Sequence, residues 1–296
     1  MHVSPETNSS IVAGKPIIPW EAYKGSNQVR LQPQGFRTES TTIWSFRNRG
    51  DWASHTPQYR GNWSPYVVRN ILELYSSPGD VVLDPMAGGG TTPVECLLTG
   101  RNSISYDINP ASVNIVKDCL NIFDSVENCL SRTSHSVSVG DTRDLSMIEN
   151  DSIDLIATHP PYANIIKYSD SIDGDLSRME INDFFREFFK AVKEYHRILK
   201  RGKYCAVLVG DTHNRGHFVP IANRVMLQFM KVGFILKEDI IKVEWNCQSE
   251  GRRYAFGNNN FLLTAHEHLY VFRKTDIAER SKYANSSIEF FKGLDR

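Results

Sequence analysis

Apolar positions in this chain fall into short runs separated by stretches in which they recur at helical spacing. Val81–Leu83, Ser103–Tyr106, Val137–Val139, Ile153–Ala157 and Tyr204–Val209 are compact runs that read as strands, several of them ending in Asp or Gly. Between them, Thr91–Leu98, Ala111–Leu120 and Ile221–Met230 read as helices. Phe184–Leu199 has apolar residues at 184, 185, 188, 189, 192, 195, 198 and 199, which is one stripe of a helix, with Gly202 placed to close it. Upstream, residues 65–76 form a helix opened by Ser64 as N-cap and Pro65 at its first position. Ile235–Val243 and Leu269–Phe272 form a closing hairpin. Strands that alternate with helices predict an α/β protein with a mostly parallel sheet covered on both faces.

The remainder reads as connections. Residues 1–40 are rich in Ser, Pro, Gly, Asn and Gln and predict an irregular N-terminal arm. A domain over 41–275 follows, with loop insertions at 163–182, 212–219 and 246–262 and a C-terminal tail over 276–296. The chain has 296 residues, 41% of them hydrophobic, which suits a globular core. No apolar run approaches the ~20 residues that span a bilayer. The N-terminus lacks a basic segment followed by an apolar one, so a cytoplasmic protein without a signal peptide is expected. The five cysteines are scattered and never spaced as Cys-x-x-Cys, so reduced thiols are expected and no metal site. Lys+Arg and Asp+Glu both number 34, which lowers the prior for nucleic acid without excluding a basic face.

Two segments carry chemistry. In Val81-Val82-Leu83-Asp84-Pro85-Met86-Ala87-Gly88-Gly89-Gly90-Thr91-Thr92 a strand turns through glycines into a helix, which brings backbone close to a ligand at the strand's carboxyl end. Pro93 stands where a dinucleotide fingerprint wants its third glycine, which opposes a nicotinamide dehydrogenase. A carboxylate at Asp84 suits a cationic ligand such as S-adenosylmethionine. Asp107 at the end of the next strand suits ribose hydroxyls, and Asp141 after the third suits an adenine amino group. Any one of these aspartates alone reads better as a helix cap or turn former; three successive strands ending this way favour a nucleoside crevice.

The second segment is Asp154-Leu155-Ile156-Ala157-Thr158-His159-Pro160-Pro161-Tyr162. Two prolines remove two N–H donors and fix two φ angles, leaving carbonyl acceptors in a rigid turn beside an aromatic ring. An exocyclic aromatic amine is a poor nucleophile because its lone pair is delocalised. Acceptors on its hydrogens localise that pair and offset charge developing on nitrogen.

At this point the resemblance is specific. Asp84-Pro85-Met86-Ala87-Gly88-Gly89-Gly90-Thr91-Thr92 resembles the D-P-F-x-G-S-G-T-T cofactor motif of the DNA amino-methyltransferases, and His159-Pro160-Pro161-Tyr162 resembles their [DNS]-P-P-[YFW] catalytic motif. The segment around Asn62-Trp63-Ser64-Pro65 is similar to the element that contacts the cofactor's methionine carboxylate. The resemblance covers roughly residues 44–275. It implies a Rossmann-like class I methyltransferase fold with a seven-stranded, mostly parallel sheet and one antiparallel strand. It assigns His159, Pro160, Pro161 and Tyr162 to catalysis, with Tyr162 stacking under a flipped-out base. It assigns Trp63, Ser64, Asp84, Pro85, Met86, Gly88, Gly90, Thr91, Asp107, Ile108 and Asp141 to S-adenosylmethionine. His159 departs from the family's Asp, Asn or Ser; a neutral imidazole accepts one hydrogen bond if its tautomer is right. Asp or Asn is usual for adenine and Ser is typical of cytosine, which tilts the expectation slightly toward N4 of cytosine over N6 of adenine.

Arg47, Arg49, Arg60, Arg252 and Arg253 are candidate phosphate contacts, each an even match for a surface arginine lying over aromatics. His266-Glu267-His268 receives no role. DNA is the expected partner. RNA is the rival substrate, and a catalytically silent cofactor-binding module is the rival function. A second copy of the chain and a cognate restriction enzyme are further candidate partners.

Overall fold

A computed structural model describes residues 11–12, 15–16, 30–55, 59, 61–121, 133–162, 169, 172–214, 216–245 and 262–276. In chain order the strands are β1 (Ile11–Val12), β2 (Lys15–Pro16), β3 (Ile43–Trp44), β4 (Val81–Asp84), β5 (Asn102–Asp107), β6 (His135–Val139), β7 (Ile153–Thr158), β8 (Leu199–Gly210), β9 (Thr212–Asn214), β10 (His217–Val219), β11 (Phe234–Val243) and β12 (His266–Lys274). The helices are α1 (Pro65–Tyr75), α2 (Thr91–Thr99), α3 (Pro110–Asn121), α4 (Ile181–Ile198) and α5 (Ile221–Val232). The main sheet has the order β3-β11-β12-β8-β7-β4-β5-β6. β12 runs antiparallel to both neighbours, β11 and β8, and the other pairings are parallel.

This order explains where the two motifs meet. From β4 the chain builds outward through β5 and β6, then returns to place β7 and β8 on β4's other side. The carboxyl ends of β4 and β7 therefore flank the point where the winding reverses, and there a crevice opens. β7 is buried along all six residues, as a strand covered on both faces must be. Alternation along β8 sends Cys205, Val207 and Val209 to one core and Ala206 and Leu208 to the other. The first core is filled by α4 and α5, with Phe229 stacked on Phe272 at 4.3 Å. The second is filled by Val67, Val68, Ile71 and Leu72 of α1 with Trp44.

Several expectations need correction. The sheet has eight strands rather than seven, because Ile43–Trp44 of the aromatic segment adds β3 in parallel to β11. Gly202 does not close α4. That helix ends at Ile198, Leu199 is already extended, and Gly202 lies inside β8 with φ +77. Residues 212–219 are a hairpin, β9 with β10, rather than a loop. Part of the N-terminal arm is docked: Leu31 is buried, and the Gln32 amide donates to the Leu98 carbonyl at 3.2 Å. Most of 163–171, all of 246–261 and the tail from 277 lie outside the described residues. No helix among the described residues is long and apolar enough to cross a membrane.

Candidate active site

The turn between β4 and α2 is packed from outside by the aromatic segment. A Cβ on Gly89 would sit 2.6 Å from Asn62 Nδ2 and 2.9 Å from Tyr59 Cβ, so only glycine lets that segment close over the loop. Asn62 accepts the Thr91 hydroxyl at 2.7 Å, and the Tyr59 hydroxyl meets Ser112 Oγ at 3.0 Å. From inside, Asp84 Oδ1 accepts from Met86 N at 3.1 Å and Oδ2 accepts the Thr92 hydroxyl at 2.5 Å. Burial pushes the Asp84 carboxyl up to about 7. Asp107, at the end of β5, accepts Gly88 N at 2.9 Å and Asn109 N at 2.8 Å, and burial raises its pKa as well.

A cleft of about 740 Å³ opens over this loop. Of the expected cofactor residues, Trp63, Pro85, Met86, Gly88, Asp107, Ile108 and Asp141 line it. Asp84, Ser64, Gly90 and Thr91 do not. Asp84 is 1% exposed and spent on shaping the turn. Ser64 caps α1 through Tyr66 N and donates to the Arg49 carbonyl at 2.7 Å. Gly90 caps α2 in the left-handed region, and Thr91 is committed to Asn62. Asn109, Thr142 and Asp175 also line the cleft and carried no sequence signal. Asp175 comes from the expected 163–182 insertion, where it caps a 3-10 turn at Leu176–Arg178.

At the end of β7, His159 lines this cleft together with Pro161. The same His159 and Trp63, with Gly61 and Asn62, also line a second cavity of about 750 Å³. The two rings stand 5.9 Å apart and form the shared wall. The second cavity is lined further by Phe46, Arg47, Arg49 and Trp245, and by Lys242, Glu244 and Glu267 from β11, its end, and β12. Arg49 donates to the Trp63 carbonyl at 3.0 Å, while its Nη1 is buried and has no hydrogen-bond partner among the described residues. Burial lowers the Arg49 pKa. Arg60, Arg252 and Arg253 lie outside the described residues.

Tyr162 lines neither cavity, contrary to its expected place under a base. Its ring packs on Gly210 of β8, where an added Cβ would come within 2.9 Å of Tyr162 Cε2. Its hydroxyl lies 2.5 Å from His159 Nε2 and donates to Glu267 Oε1 at 2.5 Å. Gly210→Ala is accordingly expected to push this ring away from His159 and to cost about 1–3 kcal/mol of unfolding free energy. A urea titration would check this, and an unchanged midpoint would contradict it. Burial lowers the His159 pKa below its ordinary 6.5, with Lys242 acting the same way; Glu267 and a hydrogen bond with the Gly61 backbone oppose this.

A glycine loop, acidic strand ends and a proline turn thus surround one cleft. The N6/N4 DNA methylase family model matches residues 15–118 and 153–292. The chain belongs to this family. Among curated relatives, the type II methyltransferase M.HpaI of Haemophilus parainfluenzae is 27% identical over 132 residues, which is 41% of this chain and 38% of that protein. M.MjaVI of Methanocaldococcus jannaschii is 32% identical over 111 residues, 38% of this chain and 54% of that protein. The chain thus spans about half or less of the length of these relatives. A solved S-adenosylmethionine-dependent methyltransferase of Methanosarcina mazei aligns with TM-score 0.47 and 14% identity, covering 69% of this chain and 97% of that one.

For a DNA methylase the cofactor is S-adenosylmethionine, and the cleft suits it. Its polar wall is acidic, with Asp107, Asp141 and Asp175 and no lysine or arginine among the described lining residues, which suits a sulfonium and an ammonium. Met86, Ile108 and Leu176 offer apolar faces to a purine. A side chain at Gly140 would collide with Tyr106 at 2.6 Å, so backbone alone forms that part of the cradle.

Proposed function

We propose that the chain transfers a methyl group from S-adenosylmethionine to the exocyclic amino nitrogen of a DNA base, with N4 of cytosine favoured over N6 of adenine. The observation that carries this reading is the pair of cavities meeting at His159 and Trp63. One is walled by Asp107, Asp141 and Asp175. The other holds aromatic faces and two arginines, the surroundings a flipped-out nucleotide needs. The bound cofactor supplies an electrophilic methyl on its sulfonium. Asp107 orients the ribose, and Asp141, itself held by Arg143 at 2.6 Å, faces the adenine. The rigid Pro160-Pro161 turn holds carbonyl acceptors toward the base amine, and His159, at the wall the two cavities share, stands beside the path from amine to methyl as a second acceptor. Phe46, Trp63 and Trp245 take the stacking role expected of Tyr162. Arg49, with Nη1 unmatched, and Arg47 receive phosphate.

The test is incubation with labelled cofactor and either mixed-sequence DNA or total RNA, then digestion and mass spectrometry of the nucleosides. N4-methylcytosine is the expected product. N6-methyladenine would correct the base, label in RNA alone would replace the substrate, and cofactor binding without product would overturn the reading. His159→Ala should lower kcat by on the order of 10²–10³-fold. An imidazole accepts only when neutral, and burial holds the His159 pKa below 6.5. Activity should therefore persist as pH falls through 6.5 and decline only below it. A decline centred above pH 6.5 would contradict an acceptor at His159.

A further inference from the structure

Arg143 serves the acidic wall of the cofactor cleft without being one of its lining residues. It follows Asp141 by two positions, and its backbone N and its Nε both reach Asp141 Oδ1 at 2.9 Å. Nε is shared with Oδ2 at 3.0 Å, and Nη2 donates to Oδ2 at 2.6 Å. The remaining nitrogen, Nη1, donates to Glu187 Oε2 of α4 at 2.8 Å. The same Nη2 lies against the backbone of Gly174, where an added Cβ would collide with it. Gly174 has φ +81, which glycine adopts without strain, and it lines the cleft as Asp141 does. One guanidinium thus ties two stretches of the cleft lining, distant in sequence, to α4.

The three carboxylates of the cleft are differently committed. Asp107 holds Gly88 N and Asn109 N. Asp175 is buried, with Oδ1 accepting Ser177 N at 2.8 Å and Oδ2 accepting the Ser169 hydroxyl at 2.5 Å. Asp141 is the one that Arg143 grips, and its side chain keeps 33% of its surface exposed. A carboxylate offers about four acceptor positions, two on each oxygen. Arg143 fills both on Asp141 Oδ1. Oδ2 takes Nη2 and the longer share of Nε, which leaves it one open position. A planar fork fixes the plane of the carboxylate as well as its place, which a point charge would not do.

We propose that Arg143 is a positioning residue for cofactor selection: it holds Asp141 with one acceptor open to the adenine amino group and seats Gly174 beside it, so that the cleft prefers adenosine to a purine nucleoside lacking that group. The inference rests on the proposed placement of adenine at Asp141. The amino group of adenine is a donor that needs one directed acceptor. Without the fork the carboxylate rotates about its side-chain bonds, and the ligand must then pay the ordering that Arg143 supplies in advance.

The experiment is calorimetric titration of the full chain with S-adenosylhomocysteine and with its 6-deamino analogue, which carries hydrogen in place of the amino group. The unaltered protein should bind the adenosine ligand about 10–100-fold more tightly, the worth of one hydrogen bond to a charged group. Arg143→Met should reduce that preference to about threefold or less, with most of the loss on the adenosine ligand. Should Arg143→Met fail to fold, Gly174→Ala displaces the guanidinium while removing no charge, and should reduce the preference likewise. An undiminished preference, or equal weakening of both ligands in a folded variant, would overturn the proposal and leave Arg143 a structural brace. An unaltered protein that binds the two ligands equally would overturn the placement of adenine at Asp141, and the selection with it.

Discussion

Asp107→Ala should weaken S-adenosylmethionine binding by on the order of 10²–10³-fold. The carboxylate lines the cleft and ties Gly88 N and Asn109 N, at 2.9 and 2.8 Å, so it shapes the glycine loop while facing the ligand. Each oxygen has a second lone pair free to accept a ribose hydroxyl. Removing the side chain orphans the Gly88 donor, worth about 1–3 kcal/mol, and removes charge-assisted bonds to the cofactor of about 1.5–3 kcal/mol. Isothermal titration of the cofactor would measure this. Asp107→Asn keeps the shape and one acceptor and should lose less. Burial raises the Asp107 pKa, so acid should weaken binding at a higher pH than an ordinary carboxylate would allow. An unchanged Kd in Asp107→Ala would mean that the ribose does not reach the end of β5.

The largest effect on stability is expected from Glu95→Ala, about 3–5 kcal/mol of unfolding free energy. Glu95 is on α2, beneath the cofactor loop, with no exposed surface. It accepts Trp52 Nε1 at 2.8 Å, is bonded to His55 Nε2 at 2.7 Å, and pairs closely with Arg69 Nε. Arg69 also donates to Gln32 at 2.8 Å, so one carboxylate joins the N-terminal segment, α1 and α2. Alanine would leave a buried guanidinium without its counter-charge and strand two ring donors. Glu95→Gln keeps acceptors for the rings and should cost less. Burial opposes the Glu95 charge, but Arg69 and His55 outweigh it and lower the pKa below 4.5. The folded value lies below the unfolded one, so this stabilisation is present above about pH 4.5 and is lost as pH falls through the folded pKa. Urea titrations at pH 7 and in acid would check both points. A cost below about 1 kcal/mol would mean that the cluster relaxes around the gap.

Much of the site was legible because its determinants are local. The positions of β4, β5 and β7 follow from short apolar runs, and the glycine turn and proline turn are set by the φ freedom of Gly88 and Gly90 and the φ restriction of Pro160 and Pro161. Local rules also place Asp107 and His159 at strand ends. They do not say which side chain a strand end spends internally. Asp84 and Asp107 look alike in sequence, yet Asp84 is sealed behind the turn by Thr92 while Asp107 faces the cleft. Tyr162 likewise reads as a stacking ring, but Gly210 offers it a flat seat and Glu267 an acceptor, which turns it toward His159 and away from the lining of both cavities.

The sequence by itself determined the α/β class, the succession of strands and helices, the two motifs and hence the family and cofactor, since each depends on residues within one or two turns of chain. Only the tertiary structure decided the eighth strand, the second cavity and the Glu267–Tyr162–His159 chain. These depend on β12 inserting antiparallel between β11 and β8, which brings residue 267 to residue 162 across 105 positions of chain. Side-chain alternation in a strand specifies a face of the sheet but not the neighbour across it, and that neighbour is chosen by the packing of the whole sheet.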